Sequence, residues 1–239
     1  MKAILISART GSSRLPNKTI LRIQGKHTIE YVIAATKKSR LSNKVILCTT
    51  TLSEDDILCD IAEVNKVECF RGSALDKLKR WSAACSKFKV SYFATADGDD
   101  LFYDAGLADL CFQQRERFDI ISGQGLYNDV YGIRAAALEK ITKSLNEKIV
   151  EPHDLIDFLK SQKQLAVGEL TKVPDLYKKK NMRLTLDYEE DFDFFKEVIC
   201  KLPRDFSLKD AITYIENNES VRNINLFREN DWKNHQKTK

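Results

Sequence analysis

Short apolar runs alternate with amphipathic stretches through the first half of the chain. Residues 2–8 contain Ala3-Ile4-Leu5-Ile6, a continuous rather than alternating run, as expected of a strand buried on both faces. Residues 45–49, 67–70, 90–95 and 119–122 read the same way. Between them lie predicted helices. In residues 29–38, Ile29, Val32, Ile33 and Thr36 share one face and Thr28 is placed as the cap. The second opens with Ser53 and Asp56 and ends near Val64. Two more cover about 74–88 and 105–117. This alternation predicts a Rossmann-like α/β fold, a mostly parallel sheet with helices on both faces.

The rhythm loosens after Gly123, and residues 123–133 show no clear period. Helices are expected around 135–145 and from about Pro152 to Ser161, then a strand at 166–172 before Pro174. Residues 183–187 read as a further strand. In the helix predicted for 189–201, Phe192, Phe195, Val198 and Ile199 stand at core spacing. Ser207 is placed to cap a last helix to about Glu216, and the polar tail at 231–239 is expected to fray. With no repeat or low-complexity linker, residues 1–230 read as one domain, in which about 123–180 serves substrate choice or dimerisation.

Composition narrows the function classes. The chain has 239 residues and is 43% hydrophobic, enough for a sizeable core. Charged residues make up 31%, yet they nearly cancel to +4, too weak and dispersed to argue for a nucleic-acid partner. The six cysteines, Cys48, Cys59, Cys69, Cys85, Cys111 and Cys200, form no C-x-x-C pair. They read as small buried hydrophobes in a reducing compartment, not as disulfides or a zinc site. His27, His153 and His235 are too scattered for a metal cluster or a triad. No secretory leader and no run of transmembrane length is seen, so a soluble cytoplasmic protein without a membrane partner is expected.

The chemistry begins where the first strand ends. Ala8-Arg9-Thr10-Gly11-Ser12-Ser13-Arg14-Leu15-Pro16-Asn17-Lys18 combines a glycine among hydroxyl residues with three cations. Such a loop can turn backbone N–H groups toward an anion, at the edge where open α/β sheets bind ligands. It is neither a Walker loop nor G-x-G-x-x-G. The alternative is a solvated basic turn. The pattern Ala-Arg-x-x-Ser-x-Arg-Leu-Pro-x-Lys resembles the signature loop of the cytidylyltransferases that make CMP-activated acidic sugars, namely the CMP-Kdo and CMP-sialic acid synthetases and the related spore-coat polysaccharide family.

That resemblance implies a nucleotide-diphospho-sugar transferase-like fold, CTP and an acidic sugar as substrates, Mg2+ as cofactor and a homodimer. It extends to Gly98-Asp99-Asp100-Leu101-Phe102-Tyr103-Asp104, similar to the family's Gly-Asp-x-Pro-Leu-Ile-Asp, and to Arg183-Leu184-Thr185-Leu186-Asp187, similar to Arg-Leu-Thr-Val-Asp. By carry-over Asp99 and Asp187 are the metal ligands. Arg9, Lys18, Asp99 and Asp187 are the expected catalytic set. Ala8, Arg9, Thr10, Gly11, Ser12, Arg14 and Lys18 are expected to hold the nucleotide, with Asp97 beside them. Prolines of the family pattern are missing at Leu101 and Glu189, which bears on loop geometry and substrate preference. Arg71-Gly72-Ser73 resembles the spore-coat branch's Arg-Gly-Ser beside the base, although Ser73 also suits a plain helix cap. Asp97 could hold metal, contact sugar or satisfy a turn, and Glu190 and Asp191 suit the first turn of the next helix. Two rivals stand beside this reading: a sugar-1-phosphate nucleotidyltransferase, and a non-catalytic nucleotide-binding protein on the same fold.

Overall fold

A computed structural model of the protein describes residues 1–145 and 155–237. The predicted helix start at Pro152, and His153, lie outside the described residues. The buried run at the N-terminus forms β1 (Lys2–Ser7). A basic loop follows, then a small antiparallel hairpin of β2 (Arg22–Ile23) and β3 (Lys26–His27). Its turn places Gly25 at φ +80°, a conformation that favours glycine. Then come α1 (Thr28–Thr36), β4 (Lys44–Thr50), a 3-10 turn at Ser53–Asp55, α2 (Asp56–Val64), β5 (Glu68–Gly72), α3 (Lys77–Phe88) and β6 (Tyr92–Asp97). The chain continues through α4 (Ala105–Gln114), β7 (Ile120–Gly123), β8 (Val130–Arg134), α5 (Ala135–Ser144), α6 (Leu155–Lys160) and β9 (Val167–Glu169). A helical C-terminal region completes it: α7 (Glu189–Lys201), α8 (Leu208–Glu216), α9 (Glu219–Arg222) and α10 (Arg228–Lys237).

The central sheet has seven strands in the order β5-β4-β1-β6-β8-β7-β9. Every strand but β8 runs parallel. Alternate residues of β1 face two different cores. Ile4 and Ile6 meet Val32 and Ile33 of α1 and Leu58 of α2. Ala3 and Leu5 meet Leu78 and Trp81 of α3 and Leu138 of α5. That is the doubly covered α/β sheet the apolar runs predict. A third core lies under α7 and α8, where Leu184, Leu186, Phe194, Phe195, Leu208 and Ile212 are buried. Phe102 packs edge-on against Phe195, with centroids 4.8 Å apart.

Several expectations are corrected. The stretch without a clear period contains β8, an antiparallel strand whose short pattern with a central Gly132 hides it. Residues 183–187 are not a strand of the sheet. They are an extended segment whose Leu184 and Leu186 face the third core; its alternation reflects packing under helices, not strand pairing. Residues 231–237 belong to α10, where Trp232 lies near Lys179 and Arg183. Helix α3 starts at Lys77 with Asp76 as its cap, the Lys79 N–H donating to Asp76 at 2.8 Å. Thr28 does not cap α1; His27 holds that position, and the Thr28 hydroxyl donates to the Lys18 carbonyl at 2.5 Å. Cys59 of α2 and Cys69 of β5 form a disulfide with Cα atoms 5.5 Å apart, because the tight return from helix to strand brings them face to face. Cys48, Cys85 and Cys111 are buried thiols as expected.

Candidate active site

The register of the sheet sets the stage. Ser7 at the end of β1 lies level with Cys48 of β4 and Asp97 of β6, so the carboxyl ends of three strands open on one edge. The basic loop leaves β1 at that edge. It is braced from inside: the Thr10 N–H and hydroxyl both donate to Asp55 Oδ1 at 2.7 Å, and the Thr19 hydroxyl donates to the Arg9 carbonyl at 3.2 Å. The Thr50 hydroxyl also donates to Asp55. Burial opposes charge on Asp55, but these donors outweigh it and hold the carboxyl below its ordinary value. Among the described residues, the N–H groups of Gly11, Ser12 and Ser13 make no intramolecular hydrogen bond, and Arg9 makes no ion pair and is exposed. The loop therefore presents donors and a free cation outward. Ala8 is different: its N–H is taken by the Cys48 carbonyl at 3.2 Å, and its side chain is wall.

Two remote aspartates meet the loop's other cations. Lys18 Nζ lies 2.5 Å from Asp99 Oδ2 and 2.8 Å from Asp187 Oδ1. Arg14 Nη2 lies 2.5 Å from the same Asp187 oxygen. Burial alone would favour a neutral Lys18, yet Asp99 and then Asp187 outweigh it and hold the ammonium charged above the ordinary lysine range. Asp187 is likewise buried, but Lys18 and Arg14 hold its carboxyl below the usual range. Asp99 is pushed up by burial, an effect that Lys18 opposes and Asp187 and Asp97 reinforce. Next to it Asp100 is 8% exposed and raised well above the usual range by burial and by Asp99, Asp97 and Asp129.

Asp187 owes its place to a buried network that sequence reasoning missed. Arg183, 1% exposed, donates through Nη2 to Asp187 at 3.1 Å and through Nε to Asp191 at 2.9 Å. Asp191 also accepts the N–H groups of Asp187 and Tyr188, at 2.8 and 3.0 Å. It thus does more than bias a helix end. No local spacing signals it, because Arg183 and Asp187 lie on an extended segment and Asp191 in the first turn of α7.

The remaining predicted residues do not join the cluster. Asp97 pairs with Lys77 at 2.8 Å, on the α3 side. Arg71 is held by protein groups: it donates to the carbonyls of Thr50 and Leu52 at 3.0 and 2.9 Å and pairs with Asp56 at 2.5 Å. The Ser73 hydroxyl accepts from the Asp76 N–H at 3.0 Å.

The donor set can be tested for a metal. Asp99 and Asp187, from different elements, both reach one positive point, the Lys18 ammonium. Among the described residues no group of three or more His, Cys, Asp or Glu side chains could hold an ion. Two convergent carboxylates beside a cationic loop suit Mg2+, which takes one or two carboxylates and completes its shell with phosphate oxygens and water. No helix among the described residues is long and apolar enough to cross a membrane.

The chain is similar to several known proteins. A solved cytidylyltransferase from Leptospira borgpetersenii superposes with a TM-score of 0.80 at 26% identity, covering 92% of this chain and 96% of that one. The spore coat polysaccharide biosynthesis protein SpsF of Bacillus subtilis is 25% identical over 228 residues, 90% of this chain and 93% of that protein. The CMP:2-keto-3-deoxy-manno-octonic acid synthetase, solved with CTP, shares the fold with a TM-score of 0.63 at 14% identity, covering 84% of this chain and 98% of that one. A family model for cytidylyltransferases matches residues 3–231. With the loop and the aspartates on one edge of the sheet, the chain belongs to the cytidylyltransferase family.

Proposed function

We propose that the protein is a Mg2+-dependent cytidylyltransferase that transfers CMP from CTP to a hydroxyl of an acidic sugar, releasing pyrophosphate, in surface-polysaccharide biosynthesis. The observation that carries this reading is the meeting of Asp99, Asp187 and Lys18 beside a loop with outward N–H groups. An acceptor oxygen attacks the α-phosphorus, a new P–O bond forms, and the bond to the β-phosphate oxygen breaks. The N–H groups of Gly11 and Ser12, with Arg9 and Arg14, hold the triphosphate in line for that attack. Arg9 and Lys18 offset the charge that builds on departing pyrophosphate. Asp99 and Asp187 would hold Mg2+, which when bound lowers the negative charge on the phosphate oxygens. The acceptor's proton leaves to solvent or to a nearby carboxylate such as Asp97. Arg71 and Ser73 form the wall at the base. SpsF is named for spore coat polysaccharide biosynthesis and the Kdo synthetase for CMP transfer to an acidic sugar, which supports the acceptor class. A homodimer acting in the cytoplasm completes the proposal.

Pyrophosphate release with CTP, UTP, ATP or GTP, with and without Mg2+, against a panel of acidic and amino sugars, tests it. CTP with an acidic sugar should turn over only with Mg2+, and Asp187→Asn should abolish it while leaving the circular dichroism spectrum intact. Turnover with a sugar 1-phosphate instead, CTP binding without turnover, or a fully active Asp187→Asn protein would each overturn it.

A further inference from the structure

The cysteines depart from the expected reduced thiols at one place, and that place adjoins the basic loop. Cys59 of α2 and Cys69 of β5 are joined. Both are partly exposed, whereas Cys48, Cys85 and Cys111 are buried thiols. Strand β5 ends the strand order and pairs with β4. The disulfide therefore lies at an edge of the sheet, within reach of a thiol from solution.

Two ties hold the start of α2 to β5. One is the disulfide; the other is Arg71, which pairs with Asp56 at 2.5 Å. Immediately before Asp56 stands the turn Ser53–Asp55, and that turn grips the basic loop. Asp55 Oδ1 accepts the N–H and the hydroxyl of Thr10, both at 2.7 Å, and the Glu54 carbonyl also accepts that hydroxyl at 3.3 Å. A Cβ on Gly11 would stand 2.9 Å from Glu54 Oε1, so the loop lies directly against the turn. Asp55 is the cap of α2, and Cys59 follows it by about one helical turn. A shift of α2 on β5 therefore moves Asp55, and with it Thr10.

We propose that the Cys59–Cys69 disulfide is a redox switch on the basic loop and, through it, on nucleotide binding. Closed, it seats α2 on β5 and holds the Thr10–Gly11 backbone in the shape that receives the triphosphate. Open, α2 gains freedom, Asp55 loosens its grip and affinity for CTP falls. Opening takes a dithiol reductant. One of its thiolates attacks a sulfur of the pair, the Cys59–Cys69 bond breaks and a mixed disulfide forms; the reductant's second thiol then displaces the remaining cysteine. Two electrons and two protons pass to the protein, which is left with two thiols, and the reductant is left as a disulfide. Glutathione disulfide, as oxidant, runs the exchange backward. Disulfides of reducing compartments are characteristically transient, catalytic or redox-sensing. The effect on nucleotide rests on the CTP reading above; the effect on the loop does not.

The test compares the oxidised protein, the protein reduced with dithiothreitol, and Cys59→Ser/Cys69→Ser, all well below their melting temperatures. Amide hydrogen exchange reads the loop, and calorimetry reads CTP binding with Mg2+. Reduction should speed exchange at Thr10 and its neighbours and weaken CTP binding by about 5-fold or more. Glutathione disulfide should restore both. The serine protein should match the reduced state and ignore reductant; if it does not fold, the reduced wild type decides. Because the route runs through Asp55, reduction should add little to the loop exchange of Asp55→Asn. Exchange and affinity unchanged on reduction would overturn the proposal. So would faster exchange spread evenly over the sheet, the mark of a merely structural staple, or an Asp55→Asn protein that responds as fully as the wild type. Faster loop exchange in a protein that binds no CTP in either state would sink the proposed function while keeping the switch on the loop.

Discussion

The backbone N–H of Leu186 donates to the carbonyl of Asp99 at 3.1 Å. This bond clips the extended segment before α7 to the turn after β6. It places Asp187 beside Asp99, and the Lys18 ammonium lies against both. Among the described residues the segment has no strand partner in the sheet; the clip, the buried Leu184 and Leu186, and the Arg183 network hold it instead.

Asp191 should matter to folding as much as to the site. It accepts from Arg183, from two backbone N–H groups and from Asn225, all within 3.1 Å. Asp191→Ala leaves a fully buried guanidinium short of its main partner, which costs about 3–5 kcal/mol. Urea unfolding should show a loss of that order.

Asp97 and Asp99 should separate under the same substitution. Asp97 is half exposed and paired with Lys77, so Asp97→Asn should change stability by less than about 1 kcal/mol. If Asp99 holds the metal, Asp99→Asn should lower kcat by about 100-fold or more, and Asp97→Asn by much less. Steady-state kinetics at saturating Mg2+ checks both.

Acid should loosen the basic loop after β1 through Asp55. Its carboxyl is held below the ordinary value by donors from Thr10 and Thr50. The stabilisation is therefore complete above the unfolded carboxyl value of about 3.9 and is lost as the pH falls through the lower folded value. Asp55→Asn should be less stable at neutral pH by about 1–3 kcal/mol. Its melting temperature should also fall less steeply than the wild type's between about pH 5 and 2.

The Cys59–Cys69 disulfide spans a sequence separation of 10. Closing so short a loop stabilises by about 3 kcal/mol in the chain-entropy account. Reduction with dithiothreitol should lower the melting temperature of the wild type. The Cys59→Ser/Cys69→Ser protein should melt at the lower value and be indifferent to reductant.

Much of the site was legible because its chemistry is local. The loop residues Arg9, Gly11, Arg14 and Lys18 all lie on the one loop that leaves the buried strand β1, and parallel strands fix where such a loop emerges. The grip of Asp55 on Thr10 was not legible, because the two stand 45 positions apart and meet only where the turn before α2 lies against the loop. Nor was the pairing of Asp97 with Lys77, since it depends on how α3 packs over β6.

By itself the sequence determined which segments are buried on both faces, hence the α/β layering, and which loop carries the cations. Both follow from residue type and period along neighbouring positions. Tertiary structure alone decided that β8 runs antiparallel, that Asp187 arrives on an extended segment outside the sheet, and that Cys59 meets Cys69. Those outcomes turn on contacts between elements, where a third core and a buried ion network choose among placements that the local pattern leaves equivalent.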